Sequence, residues 1–461
     1  MTGRIAIVGG GIAGLAALHE LIRSGHDDVV LLEVAEQVGG KIRSSEVAGR
    51  IIDEGGDAFL ARVPWATELA REIGLEDQLI SPHARNAFIW SDGNLHPLPQ
   101  PHVLGIPTDP ETVGGGLLSD QAVEDLKADL ARTEADPVLT DDTVGSLVRR
   151  RVGDEVFEKL VNPLIGAINA GDTDHMSLAA SAPQFAAAAD AHPSLIAGLL
   201  ETRSAPDPDA PVFHSFATGL TTLTNRLADL YEPWIQTGIN VFNVEKKRKK
   251  LRLEAEGEAM DVQSIIMATP AHVSAPIVGE WRRAAEAMKE IDYVSVVLVT
   301  LAYKARDVET VVPGGSGFLV PSGQSPIITA CSWSSSKWAH LAPETAVGGD
   351  DPLVYLRVSL GRAGADAVTS ARDADIMSTV KLDLSETMNI TADPRAVRIS
   401  RWPKSFPQYA LGHAARVATI RESLATANIF VAGAAYDGIG VPACINSGRT
   451  AARAAVAALS N

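Results

Sequence analysis

The stretch that most constrains this chain is its beginning. Ile5-Ala6-Ile7-Val8 is a short apolar run suited to a buried parallel strand, and Gly9-x-Gly11-x-x-Gly14 follows without a gap. Leu15, Leu18, Leu21 and Ile22 then share one helical face, and Gly25 stands where that helix would stop. Each glycine has its own job in a strand–turn–helix unit. The first (Gly9) makes the turn, the second (Gly11) lets backbone approach a pyrophosphate, and the third (Gly14) lets helix pack on strand. The helix start, Ile12-Ala13, offers free N–H groups and the positive end of a dipole to phosphate. A second apolar run, residues 29–32, ends in Glu33, about 20 residues past Gly14, where an acid accepts hydrogen bonds from a ribose diol. No basic residue follows Glu33 directly, which argues against a 2′-phosphate.

Further along, Val38-Gly39-Gly40-Lys41-Ile42-Arg43 sets a glycine pair and two cations beside the expected pyrophosphate. A polar hairpin turn with solvated cations would account for it equally well. Ile51-Ile52-Asp53-Glu54-Gly55-Gly56-Asp57-Ala58 reads as a strand ending in a glycine turn. Near the C-terminus, residues 428–433 read as a strand, Gly438-x-Gly440-x-x-Ala443 as a glycine turn, and residues 445–459 as a helix. This mimics a dinucleotide fingerprint, but no further strand and acid follow. The expectation is a single nucleotide site, with the second helix start facing the ring system of the same cofactor.

Composition removes several classes. The chain has 461 residues, enough for two or three domains, and 46% hydrophobic and 21% charged residues suit a soluble globular protein. A net charge of −17 argues against nucleic acid as a partner. Cys331 and Cys444 are the only cysteines and form no C-x-x-C, which excludes a disulfide scaffold and suits a reducing cytoplasm. A strand starting near residue 4 leaves no room for a signal peptide, and no apolar run nears the ~20 residues that span a bilayer. The expected location is cytoplasmic, with at most peripheral membrane contact. Histidines lack metal-binding spacing and no G-x-S-x-G occurs, so neither a metal centre nor a hydrolase is expected.

In chain order, residues 65–80 read as one amphipathic helix through Leu69, Ile73 and Leu79. Prolines make 97–110 a loop or crossover. Residues 119–200 are mostly helical in pattern, and Arg149-Arg150-Arg151 reads as a solvated helix end. Residues 204–211 read as an exposed loop. Residues 239–244 and 251–253 read as paired strands around the solvated run 246–250, and 264–267, 291–303, 327–333 and 353–360 are strand-like.

The fingerprint, the Gly39-Gly40 pair and the C-terminal turn and helix together resemble the amine-oxidase-like flavoprotein superfamily. Inner stretches narrow this. Asn162-Pro163-Leu164-Ile165-Gly166-Ala167-Ile168-Asn169-Ala170-Gly171-Asp172 is similar to the "PL..GIYAGD" run of the protoporphyrinogen/coproporphyrinogen oxidase family. So are Gly105-Ile106-Pro107-Thr108, residues 150–155, and Thr329-Ala330-Cys331-Ser332-Trp333 with Lys337-Trp338. Arg401-Trp402, Pro407-Gln408-Tyr409, Gly412-His413 and residues 436–445 match its C-terminal signature. The likeness runs from residue 4 to about 455 and is nearest the soluble bacterial branch that oxidises coproporphyrinogen III on the coproporphyrin-dependent haem route.

The resemblance implies an α/β fold: a Rossmann-like FAD-binding domain of the glutathione-reductase/amine-oxidase type, a sheet-based substrate domain and a helical insert. The corresponding segments are 1–80, 210–270 and 395–461; then 81–110 and 271–394; then 111–209. It implies that FAD is held by Gly9, Gly10, Gly11, Ile12, Ala13, Gly14, Glu33, Val34, Lys41, Arg43, Gly55, Gly56, Asp57 and Ala58, with Val241 touching it from a second segment. Trp402 would lie near the flavin, and Ile439, Gly440 and Val441 would line it. Three departures from the family pattern are Asn169 in place of an aromatic residue, Ala443 in place of Asp, and Gly56 in place of Pro.

The implied chemistry is a six-electron oxidation of coproporphyrinogen III to coproporphyrin III in three hydride transfers, with molecular oxygen taking the electrons as hydrogen peroxide. The flavin carries that chemistry, so no catalytic dyad is expected. Four propionates on the substrate call for Arg or Lys in the pocket; Arg62 and Lys337 are the candidates, with Asn169 beside them, and a solvated surface cation is the alternative for each of the first two. A ferrochelatase of the same route is the expected protein partner. Other readings stay open: a protoporphyrinogen oxidase, an amine or carotenoid oxidase of the superfamily, or a flavin- or porphyrin-binding protein without turnover.

Overall fold

Ile5–Val8 is fully buried at the middle of a five-stranded parallel sheet. The computed structural model describes residues 3–84, 86–113, 116–134, 136–140, 142–202, 210–248, 250–308, 314–343 and 351–459. The sheet runs Ile235–Gln236, Val29–Leu32, Ile5–Val8, Ser264–Met267, Ile429–Val431. Its strands therefore come from widely separated stretches of chain. Strand alternation divides the side chains between two cores. Ile5, Ile7, Val29 and Leu31 face helices Ile12–Arg23, Pro64–Glu72, Thr221–Tyr231 and Val441–Leu459. Ala6, Val8, Val30 and Leu32 face the antiparallel strands Val241–Lys247, Lys250–Ala255 and Glu258–Val262, together with helices Ala271–Ile277, Arg282–Lys289 and His413–Ala425.

A seven-stranded sheet forms the second body. Its order is Ala396–Pro407, Tyr293–Lys304, Leu353–Leu360, Ala330–Ser332, Gly317–Leu319, Ala87–Ser91, Asn94–Pro97. Helix Asp373–Met388 covers it through Ile376, Val380 and Leu384. The third core is helical, gathering Leu126, Leu147, Phe157, Phe185 and Leu199, and it is joined to the sheet through Ile89.

The structure corrects several expectations. The helix from Pro64 stops at Glu72; Gly74 has a φ of +76°, which ends it, and Leu79–Ile80 is a strand paired with Phe213–Phe216. Arg151 is buried, not solvated: its guanidinium donates to the Pro193 and Asp136 carbonyls and pairs with Asp136 at 2.9 Å. Ala396–Pro407, expected within the FAD-binding unit, is an edge strand of the seven-stranded sheet and pairs with Tyr293–Lys304 along most of its length. Ala271–Ile277 and Arg282–Lys289, expected with that sheet, instead bury Ala271, Ala284, Ala287 and Met288 against the parallel sheet. Most of the expected loop at 204–211 lies outside the described residues.

Candidate functional site

The glycine turn meets the geometric demands of a phosphate cradle. Gly9 has a φ of +109°, with the Ala268 backbone 3.0 Å from where a Cβ would sit. A Cβ on Gly14 would lie 1.9 Å from the Gly9 carbonyl oxygen, so only glycine fits that approach. A Cβ on Gly11 would meet nothing within 4 Å. That is open space at the start of Ile12–Arg23, a helix whose first turn has no side-chain cap. A pyrophosphate fits there, against uncapped N–H groups and the positive end of the helix dipole.

The neighbouring residues close round this turn. Glu33 ends the second strand; its Oε2 accepts from the Gly10 N–H at 2.6 Å and its Oε1 from the Ala35 N–H at 2.9 Å. Val34 beside it is exposed. The Gly39 N–H donates to the Gly10 carbonyl at 2.8 Å, bringing the glycine pair onto the turn. Val241 is buried, just beyond the point where the Ile239 N–H donates to the Glu33 carbonyl at 2.9 Å. Lys41 donates to the Ser405 carbonyl, and burial of its ammonium away from water lowers its pKa. Trp402 Nε1 donates to the Glu54 carbonyl at 2.7 Å, with Arg43 over its ring at 5.7 Å. Gly55 is wedged between the Lys41 carbonyl and Trp402, where a Cβ would lie 2.6 Å and 3.6 Å from them.

The last helix crosses the first close to the glycine turn. Gly448 crosses Ala13, and the Ser447 hydroxyl receives the Gly433 N–H at 2.9 Å and donates to Asp437 at 2.5 Å. Val441–Leu459 begins directly after Gly440, which is exposed, with Ile439 and Val441 half-buried. The residues present therefore fit a dinucleotide with its phosphates at Gly11 and a second helix start nearby.

Asp57, expected at the cofactor, is the centre of an ion-pair cluster. Its carboxylate receives Lys337 Nζ at 2.8 Å and Trp338 Nε1 at 3.2 Å from the end of helix Ser334–Lys337, and Arg357 Nη2 at 3.1 Å from the seven-stranded sheet. Burial would raise its pKa, but the Arg357 and Lys337 charges outweigh that and hold the carboxyl well below the usual range. Arg357 also donates to the Gly55 carbonyl at 2.9 Å. The sequence reading passed over Arg357. Its signal was present: a lone cation inside the apolar strand Leu353–Leu360 must find a partner.

The three substrate candidates separate. Lys337 lines an open cavity, with Leu164, Val212, Phe213, Phe318 and Leu319 among its apolar walls. Arg62 is exposed and is not part of that wall. Asn169 ends helix Asn162–Asn169; its side chain donates to the Ile165 carbonyl at 2.9 Å and its own carbonyl accepts from Gln408 at 3.1 Å. Among the described residues, no helix is long and apolar enough to cross a membrane.

Comparison with known proteins places this arrangement. The family described as "Flavin containing amine oxidoreductase" matches residues 12–456. The Coproporphyrinogen III oxidase of Bacillus subtilis (strain 168) is 33% identical, over 97% of this chain and 96% of the relative. The protein of the same name from Staphylococcus aureus (strain NCTC 8325 / PS 47) is 30% identical over the whole of both chains. A crystal structure from Exiguobacterium sp. 255-15, named "Putative protoporphyrinogen oxidase", superposes with a TM-score of 0.88 at 30% identity over both full chains. Cyclohexylamine Oxidase from Brevibacterium oxydans IH-35A shares the fold, with a TM-score of 0.72 at 17% identity.

Proposed function

The chain belongs to the flavin-containing amine oxidoreductase family, and from that premise we propose that it oxidises coproporphyrinogen III to coproporphyrin III with FAD as its cofactor. The observation that carries this is the end-to-end likeness, at 33% identity, to a relative of that name. FAD, when bound, supplies the acceptor for two electrons at a time, and molecular oxygen is the final acceptor.

The chain's own part is to bind, orient and exclude water. Gly9 to Gly14 and the start of Ile12–Arg23 receive the pyrophosphate. Glu33 stands at the ribose, already pinned by the Gly10 and Ala35 N–H groups. Arg357 and Trp402 hold the Glu54-Gly55 turn from the substrate side. The cavity walled by Leu164, Phe213 and Phe318 suits the apolar body of a tetrapyrrole macrocycle, and Lys337 suits one of its carboxylates.

The division of the chain belongs to the same proposal. The FAD-binding unit takes 1–80, 210–270 and the residues after 407, and gains the two helices between 271 and 289; the helical insert is 111–209. A cytoplasmic location and a ferrochelatase that takes up the product complete it.

The apolar lining of the cavity and the Exiguobacterium relative favour one competitor, protoporphyrinogen, which carries two carboxylates. The test is a side-by-side aerobic oxidation of both porphyrinogens at matched concentration, with peroxide measured. Faster oxidation of coproporphyrinogen is expected. Equal or faster oxidation of protoporphyrinogen overturns the substrate assignment, and oxidation of neither overturns the function.

A further inference from the structure

Lys337 faces two ways. It lies on the wall of the open cavity, and its ammonium also reaches Asp57 at 2.8 Å. Among the described residues lining that cavity it is the only cation. The faces of Trp338 and Phe213 stand 5.0 Å and 6.0 Å from the ammonium, a cation–π arrangement in apolar surroundings. An ammonium has three donors, and Asp57 takes one. Within ion-pair distance Asp57 meets two cations, Lys337 and Arg357. Asp53 does not restore the balance, because its carboxylate accepts from Ser44 and the Leu220 N–H instead. One carboxylate among two cations leaves room for a second anion.

Arg357 ties the other side of this cluster. It spans Asp57 at 3.1 Å and the Gly55 carbonyl at 2.9 Å, so the turn packed under Trp402 is fixed by a residue of the substrate sheet.

We propose that Lys337 is the receptor for a substrate carboxylate, that Asp57 competes with that carboxylate for its ammonium, and that Arg357 is a positioning residue holding Asp57 and the Gly55 turn for the cofactor. This rests on the tetrapyrrole reading above. It makes the ion-pair cluster a link between the two sites: the anion that enters the cavity meets a cation already shared with the cofactor-side turn.

The link predicts shifts of opposite sign, which a purely structural cluster would not produce. Binding of coproporphyrin III and of its tetramethyl ester to the holoenzyme is followed by porphyrin fluorescence anisotropy, and FAD affinity by titration of the apoprotein. Lys337→Met weakens coproporphyrin III about tenfold or more and leaves the ester unchanged, while Lys337→Arg retains the preference for the acid. Asp57→Asn tightens coproporphyrin III and loosens FAD. Arg357→Met loosens FAD and leaves the acid-over-ester preference intact. If Lys337→Met and Asp57→Asn shift coproporphyrin III in the same direction, or Lys337→Met keeps the wild-type preference for the acid, the proposal is wrong. The wild type separates the two levels: if it oxidises neither porphyrinogen the functional reading fails, whereas normal oxidation with an unaltered Lys337→Met preference removes this inference alone.

Discussion

Gly448 crosses Ala13 so closely that a Cβ at 448 would lie 2.0 Å from the Ala13 carbonyl oxygen. This contact sets the last helix against the first, and both pack on one face of the parallel sheet. Ala13 is the second residue of the nucleotide helix, so a displacement at Gly448 reaches the phosphate cradle directly.

Gly448→Ala is therefore expected to cost about 1–3 kcal/mol in stability, since the added methyl meets backbone that cannot rotate away. FAD retention through gel filtration should fall with it. An unchanged urea midpoint and full flavin content would show that the crossing relaxes without consequence.

Gly11 and Gly14 should fail in different ways. A Cβ at Gly11 meets nothing within 4 Å and points into open space, so Gly11→Leu is expected to fold with a near wild-type melting temperature and to purify without FAD. At Gly14 a Cβ would sit 1.9 Å from the Gly9 carbonyl, so Gly14→Ala should lose stability as well as cofactor. Melting curves of the apoproteins and extracted flavin separate the two outcomes. A flavin-replete Gly11→Leu would move the phosphate site elsewhere.

Glu72 joins three helices, receiving Arg449 and pairing with His19 at 2.8 Å. Arg449 and His19 are each about 5% exposed, so removing the carboxylate strands a buried guanidinium. Glu72→Ala is expected to cost about 3–5 kcal/mol, and Glu72→Gln less. Urea denaturation measures both; equal, small losses would mean that Arg449 finds another acceptor.

Asp53 should mark the pH dependence of stability. Burial pushes its carboxyl up to about 6, against the lowering effect of the Ser44 and Leu220 hydrogen bonds. The folded chain then keeps a proton that the unfolded chain has released between about pH 4 and pH 6. The Asp53 contribution to stability accordingly falls as pH rises through that window and is level above it. Asp53→Asn lacks the titration, so its stability relative to wild type should rise by on the order of 2 kcal/mol from pH 4 to pH 6. A difference that stays flat across the window would mean that Asp53 titrates normally.

Local patterns were legible in the chain because their causes are local. The Ser264–Met267 strand lies where three large apolar residues, Ile265, Ile266 and Met267, run together. The Gly9 turn lies where glycines are spaced for it, and the Glu33 acid falls at the end of the next strand. The helix break at Gly74 was also written locally, but the apolar period through Leu69 and Ile73 carried the eye past it. Arg151 could not be read at all: three arginines in a row look solvated, and only the arrival of Pro193 and Asp136 buries the third.

What the sequence by itself determined is the nucleotide half of this protein. Strand period, glycine spacing and one acid suffice there, because each acts over a few residues along the backbone. What tertiary structure decided is how the second site is joined to the first. Asp57 and Lys337 lie 280 residues apart, and Asp57 looked like cofactor loop while Lys337 looked like an isolated cation. Their partnership with Arg357 exists because the seven-stranded sheet packs beside the Gly55 turn, and buried charges at such a boundary must pair across it.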